Sequence, residues 1–313
     1  MIADKLQELV DSKADMKSAI REKGVEVEGG LTSYASAIRK IQTGSGSGDD
    51  IDWNGVRFGG SQRIPLKPNE LYKCGDMQYM FSSCNSWALS ADGFDLSQVD
   101  CRFATSFDGI FSHCNLNDHD IFTNWDTSNV VSMKRAFEGS MFINMDSLSH
   151  WDTSNVRSMY RCFKNATIDT IPNWDYSNVS EFYEFLQGST DITSIPRISM
   201  KSLQYEYQWI LMSVGSGGIY ENFNKLVYIG GFIDLKAKIT HHFVSHCPNL
   251  TVESLTNIIR DIYDWNTNPD NEDINNYYPG LDKSPVLAFG LDHLNKLTDE
   301  QIAVAINKGW TLV

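Results

Sequence analysis

A chain of 313 residues with 42% hydrophobic side chains can bury the cores of two ordinary domains or of one long stacked array. Its net charge of −14, from 40 acidic against 26 basic residues, argues against nucleic acid as a partner, because phosphate backbones need clustered Lys and Arg. No apolar run is long enough for a membrane span, and none is expected.

The first residues, Met1-Ile2-Ala3-Asp4-Lys5, lead straight into a charged helical pattern, so no export signal is expected. Residues 2–23 carry Ile2, Leu6, Leu9, Met16 and Ile20 at alternating four- and three-residue steps. Lys13 fills the missing place, giving a seam of about three heptads. Such a seam serves as an oligomer contact or as an ordinary amphipathic helix packed on a neighbour. Gly24 ends it, and Leu31, Tyr34, Ala35, Ile38 and Ile41 give a second helical face. Gly44-Ser45-Gly46-Ser47-Gly48 with Asp49 and Asp50 reads as a flexible linker. The expected organisation is an anchor or oligomerisation segment over 1–43, a linker over 44–52 and a repeat domain over 53–313. Val56 to Phe58 and Pro65 to Tyr72 are strand-like and suit an N-terminal cap.

The repeat domain is set by Trp125-Asp126-Thr127-Ser128-Asn129-Val130. It returns unchanged as Trp151-Asp152-Thr153-Ser154-Asn155-Val156 and with one change as Trp174-Asp175-Tyr176-Ser177-Asn178-Val179. The spacings are 26 (151 − 125) and 23 (174 − 151) residues, a period that signals stacked repeats. Each copy continues with apolar residues at offsets three and then four: Val130, Met133, Phe137; Val156, Met159, Phe163; Val179, Phe182, Leu186. This spacing predicts a short helix, with Thr, Ser and Asn at its start. Met141 to Ile143, Ile168 to Ile171 and Ile192 to Ile195 then predict short parallel strands. One unit cannot bury its own apolar face, whereas stacked units form columns of Trp, Val, Met and Phe. The Trp-Asp pair reads as core plus turn; a Trp-rich ligand face is the other reading. Phe94-Asp95-Leu96-Ser97-Gln98-Val99 takes the same role more weakly, with Phe107 and Phe111 as its later face. It starts 31 residues (125 − 94) before the first strong copy, so an insertion is implied. Met77, Met80 and Phe81 suit a degraded first unit.

Towards the C-terminus, Ser202 to Met212 predicts a helix, Leu226 to Ile229 a strand, and Cys247 to Thr251 part of a late unit. Val252 to Trp265 is strongly helical through Leu255, Ile258, Ile259 and Ile262. Leu287 to Leu291 reads as a strand. Thr298 is a good N-cap for a last helix, and Trp310 to Val313 reads as a closing strand. Between these, Trp265, Tyr277 and Tyr278 flank an Asn/Asp-rich loop suited to a glycan or receptor, the other reading being ring packing on the cap.

No enzyme, cofactor or metal is expected. His242 and His246 share a helical spacing beside His241, but Phe243 stands where a zinc protease has Glu. With 40 acidic residues a carboxylate pair is always available, so the count does not argue for a glycosidase. The six cysteines lack any C-x-x-C pair and read as small buried residues, with a disulfide between neighbouring turns as the alternative.

The run WDTSNV-x-S-M-x-x-x-F resembles the BspA-like leucine-rich repeat of bacterial surface proteins and many phage virion proteins. The resemblance implies an α/β leucine-rich-repeat solenoid, one short helix and one short parallel strand per repeat, with a small N-terminal helical segment and no enzymatic activity. The stretch AIREKGVEVEGGLTSYASAIRKI resembles a segment near the N-termini of phage tail and fibre proteins. KLTDEQIAVAINKGWTL resembles the ending of phage-encoded repeat proteins. Together these imply a virion fibre or appendage, attached to other virion proteins through its N-terminal segment. The repeats would be displayed to a host-surface glycan or protein, and a homotrimer is expected. A bacterial cell-surface adhesin or interaction module is the alternative.

Overall fold

The computed structural model describes residues 51–52, 54–58, 72–84, 99–116, 125–141, 145, 148–203, 222–235, 244, 246–267 and 286–313. The N-terminal seam from Ile2 to Ile20, the Gly/Ser linker, all but the first two residues of the helix expected over Ser202 to Met212, and Tyr277 and Tyr278 lie outside them.

Every strand pair is parallel and short. β1 (Ile51–Asp52), β2 (Tyr72–Lys73) and β3 (Val99–Asp100) form a sheet in that order, with Ile51, Tyr72 and Val99 in register. β4 (Ser194–Ile195) pairs with β6 (Tyr228–Ile229), and β5 (Ile198–Ser199) with β7 (Phe232–Ile233). Between these, single parallel bridges join Ser106, Ser132, Ser158 and Glu181 in series, and Asn115, Met141 and Thr167 in a second series. Of the strand runs expected here, Ile192 to Ile195 keeps Ser194–Ile195, Ile168 to Ile171 holds no strand, and Met141, the described residue of Met141 to Ile143, makes a single bridge.

The segment after each WDTSNV copy is a run of tight turns, where the three-and-four spacing predicted a helix. The hydrogen bonds show why. Ala136, Glu138 and Ser140 donate locally, three residues back, to Met133, Arg135 and Phe137. The intervening Met133, Arg135, Phe137 and Gly139 donate outward to Ser158, Tyr160, Cys162 and Lys164 of the next unit, at 2.7–2.9 Å. Alternate N–H groups therefore serve the turn and the stack, whereas a helix would consume them all internally. So short a segment gains little from helix formation by itself, and the neighbouring unit wins. The geometry requires two left-handed residues four apart in each unit. These are Tyr79 and Ser83, Gly109 and His113, Arg135 and Gly139, Arg161 and Asn165, Glu184 and Gly188. Non-glycine residues in this region cost roughly 1–2 kcal/mol each, offset here by the inter-unit bonds.

The polar residues of the motif also differ from helix caps. Asp126, Asp152 and Asp175 accept from the backbone of Ser128, Ser154 and Ser177 at 2.8–3.2 Å and close the turn. Thr127 and Thr153 donate forward to the carbonyls of Asp152 and Asp175 at 3.0 Å. Asn129, Asn155 and Asn178 donate backward to the carbonyls of Arg102, Ser128 and Ser154 at 2.7–2.8 Å. Thr and Asn thus tie each unit to both neighbours.

One register is corrected. Ala104 closes on Cys101 as Val130 closes on Thr127, and Cys101 Sγ donates to Asp126 as Thr127 donates to Asp152. The early copy of the motif is therefore Val99-Asp100-Cys101-Arg102-Phe103-Ala104, 26 residues (125 − 99) before the next, rather than Phe94 to Val99. No insertion separates these two turns. The offsets of three and four to Phe107 and Phe111 then match the strong copies.

Side chains at equivalent places stack. Phe58, Phe81, Phe111, Phe137 and Phe163 follow one another with ring centroids 5.3–5.9 Å apart, all within 15° of parallel. Trp125, Trp151 and Trp174 form a second column at 5.8 Å. Val130, Val156, Val179, Met133 and Met159 are buried beside them. The early copies replace Thr by Cys, and all six cysteines are buried thiols. Burial pushes Cys74 and Cys247 up to about 12, so both stay protonated at neutral pH.

The C-terminal end closes on helices. Thr251 caps α1 (Val252–Asp261), which buries Leu255, Ile258 and Ile259. A four-residue α2 (Leu291–Leu294) stands where a strand was expected to end, after β8 (Val286–Leu287). Thr298 and Gln301 form a reciprocal capping box on α3 (Asp299–Asn307). β9 (Thr311–Leu312) returns to pair with β8, and the Trp310 indole donates to Tyr263 O at 2.7 Å.

The β5–β7 edge meets α1 through Asp261. Its side chain is 2% exposed and takes Nε of Arg197 and of Arg260, both at 2.7 Å. Burial opposes ionisation of this carboxyl, but hydrogen bonds from Arg260 and Arg197 outweigh it and hold it below the ordinary 3.8. A depressed folded pKa contributes stability that is present above the unfolded value and lost as pH falls through the folded one. The midpoint of thermal unfolding is therefore expected to drop steeply below about pH 4, and less steeply in Asp261→Asn. Equal slopes for the two proteins between about pH 2 and 5 would rule out this source of acid sensitivity.

Candidate functional site

The buried motif residues are occupied with packing, so a contact surface has to come from the residues between them. The two positions after Met133, Met159 and Phe182 reach the surface, Tyr183 exposed and the others half-buried: Lys134 and Arg135, Tyr160 and Arg161, Tyr183 and Glu184. The second of each pair is one of the left-handed positions. These six side chains come into line because the units stack in register.

Tyr160 is the centre of this strip. Tyr183 stacks on it at 5.8 Å, with 7° between the rings. The Arg161 guanidinium lies 4.8 Å and that of Arg135 5.8 Å from the Tyr160 ring centre. Arg161 Nε pairs with Glu184 at 2.8 Å, and Lys164 joins the same carboxylate. Burial opposes ionisation of Glu184, but hydrogen bonds from Arg161 and Lys164 outweigh it and lower its pKa. The hydrogen bond to Glu184 in turn raises that of Arg161. Lys134 spans two units to Glu181 at 3.1 Å. Tyr183 remains 40% exposed. The result is a row of flat rings edged by guanidiniums on a backbone that leaves little freedom. Such a surface suits stacking on a sugar ring or an aromatic–Arg contact with a protein.

The loop residue expected to meet a ligand, Trp265, is partly buried against the core. It meets Tyr263 edge-on at 4.7 Å and Trp310 at 6.5 Å. Its expected companions Tyr277 and Tyr278 lie outside the described residues, as do His241 and His242. His246 Nδ1 lies 3.2 Å from Asn222 Oδ1. Among the described residues no group of three or more His, Cys, Asp or Glu side chains is placed to hold a metal ion, and no helix is long and apolar enough to cross a membrane.

The strip was not picked out by sequence reasoning, which concentrated on the residues that recur. Its signal was present: at the repeat spacing, positions 134, 160 and 183 read Lys, Tyr, Tyr, and positions 135, 161 and 184 read Arg, Arg, Glu.

Searches of curated proteins and of solved structures return no match to this chain. A family model does match, over residues 105–202, the span that holds the three WDTSNV-type copies and the whole Tyr160 strip. Those central repeats are similar to the family described as Mycoplasma protein of unknown function, DUF285.

Proposed function

We propose that this chain is a non-enzymatic structural and binding protein, a leucine-rich-repeat solenoid displayed on a phage particle as a fibre or other appendage. Residues 1–43 attach it to other virion proteins and to its own copies as a homotrimer, and 44–52 act as the hinge. The repeats present the Tyr160 strip to a glycan or protein of the host surface. The observation that carries the binding part is the row of rings and guanidiniums built at the same two positions of three successive units. A rigid array with a repeated surface pair is a scaffold for an extended contact. The virion part rests on the sequence resemblances of the two termini.

Two measurements separate the parts. Mass spectrometry of washed particles should find the chain, and its absence there would end the virion reading. Binding of the purified protein to host cells should fall about tenfold or more in Tyr183→Ala and in Arg161→Ala, with circular dichroism unchanged. Undiminished binding by both variants would remove the strip as the contact. The family description names proteins of a cellular organism, which favours a second reading, a bacterial cell-surface adhesin of the same repeat type. Fractionation of the source cells distinguishes it, since the adhesin would be found in the envelope.

A further inference from the structure

Cys84 and Cys114 occupy the same place in neighbouring units. Ser83, just before the first, donates to Ser112 O of the next unit at 2.7 Å, which puts the two cysteines side by side. Both lie against one carbonyl. Phe81 O accepts the Cys84 backbone N–H at 3.2 Å and the Cys114 Sγ–H at 2.8 Å. Cys84 Sγ donates in turn to Phe58 O at 3.1 Å, so both thiols point back along the stack and the Cys114 thiol faces the unit of Cys84.

The rest of the column shows what this position needs. In later units it holds Ser140, Ala166 and Ser189. The Ser140 hydroxyl donates to Phe111 O and accepts from Cys114 N, and the Ser189 hydroxyl donates to Phe163 O and accepts from Ala166 N. Serine thus does the column's structural work, and cysteine is the weaker hydrogen-bonding choice. Cys74 and Cys101 make a useful contrast. They too are neighbours in register, next to the β2–β3 pair, but Cys74 Sγ turns to Tyr72 O of its own unit and Cys101 Sγ points forward to Asp126 O, away from Cys74, whereas Cys114 Sγ points back to Phe81 O in the unit of Cys84.

We propose that Cys84 and Cys114 form a disulfide when the protein meets an oxidising compartment, clamping the unit that contains Phe81 to the unit that contains Phe111. The oxidant is a small-molecule or protein disulfide. One cysteine thiolate attacks it, forms a mixed disulfide and releases one thiol. The second cysteine thiolate then attacks the first cysteine's sulfur and releases the other thiol. Two protein thiols are oxidised and one external disulfide is reduced to two thiols. Both sulfurs are nearly fully buried, so exchange takes place as the early units open or assemble.

The test is oxidation of the full chain with oxidised glutathione during refolding, followed by alkylation and non-reducing peptide mapping. The expected product joins the Cys84 and Cys114 peptides, and Cys74 and Cys101 stay alkylated. Its melting temperature rises by on the order of 5 °C and returns on reduction. Cys84→Ser and Cys114→Ser should both fold, because Ser fills the column elsewhere, and neither should show the rise. Six alkylated cysteines after this treatment, or linkage of Cys84 or Cys114 to any other partner, overturns the proposal.

Discussion

Trp151→Ala is expected to lower stability by about 3–5 kcal/mol, at the upper end for loss of a buried aromatic. Trp151 is stacked between Trp125 and Trp174, each 5.8 Å away, and touches Phe107 at 5.4 Å and Phe137 at 5.8 Å. The cost of a cavity depends on how far its walls can collapse. Here they are held apart by the backbone bonds that run from Met133, Arg135, Phe137 and Gly139 to the next unit. The rings above and below cannot close the gap without breaking those bonds. Trp151→Phe keeps part of the stack and should cost less than half as much. Chemical denaturation followed by circular dichroism gives the comparison. The Ala curve is also expected to broaden or split, because a weak interface in the middle of an array uncouples its two sides. A loss below about 1 kcal/mol would mean that the column contributes little to holding the units together.

The second large effect is expected at Gly231, where Ala should cost about 3 kcal/mol or more. Its φ is +126°, a region that side chains rarely adopt. An added Cβ would also overlap Asp261 Oδ2 and lie 3.1 Å from Asn257 O. The carboxylate cannot step aside cheaply, since the forks of Arg197 and Arg260 hold both of its oxygens. Displacing it leaves a buried charge without its hydrogen bonds, the costly half of a broken ion pair. Gly188→Ala is the comparison. It also has a left-handed φ, +78°, but its Cβ would meet chiefly the end of the Asn165 side chain, which can rotate. That variant should lose only about 1 kcal/mol. If the two variants melt together, the Asp261 clamp is not the source of the Gly231 constraint.

The repeat was legible in the sequence because buried columns demand the same residue types at each turn. The inward positions Trp125, Val130, Met133 and Phe137 could be read directly from it. So could the cap of the last helix, where Thr298 acts through local chemistry, whereas Thr251, which caps α1, reads in the sequence as part of a late unit. What could not be read was the backbone between the columns. Three-and-four spacing marks side chains that share one side, and a chain of turns satisfies it as well as a helix does. The choice rests on hydrogen bonds to a neighbouring unit, which are absent from any local pattern. Left-handed Arg135, Arg161 and Glu184 carry no glycine to announce them. The early copy was misplaced for a related reason: Cys101 does the forward-bonding work of Thr127 with a different atom. The Tyr160 strip is not marked by the repeat, because positions 134, 160 and 183 and positions 135, 161 and 184 do not keep one residue type from unit to unit.

The tryptophan column has an optical consequence. Three indoles lie face to face at 5.8 Å, with successive planes 13° and 3° apart. At this separation their electronic transitions do not act as three independent chromophores. Excitation of one is shared with the others, and the array absorbs, rotates polarised light and emits as a coupled set. Light therefore reads the spacing of the central repeats directly, without an added label.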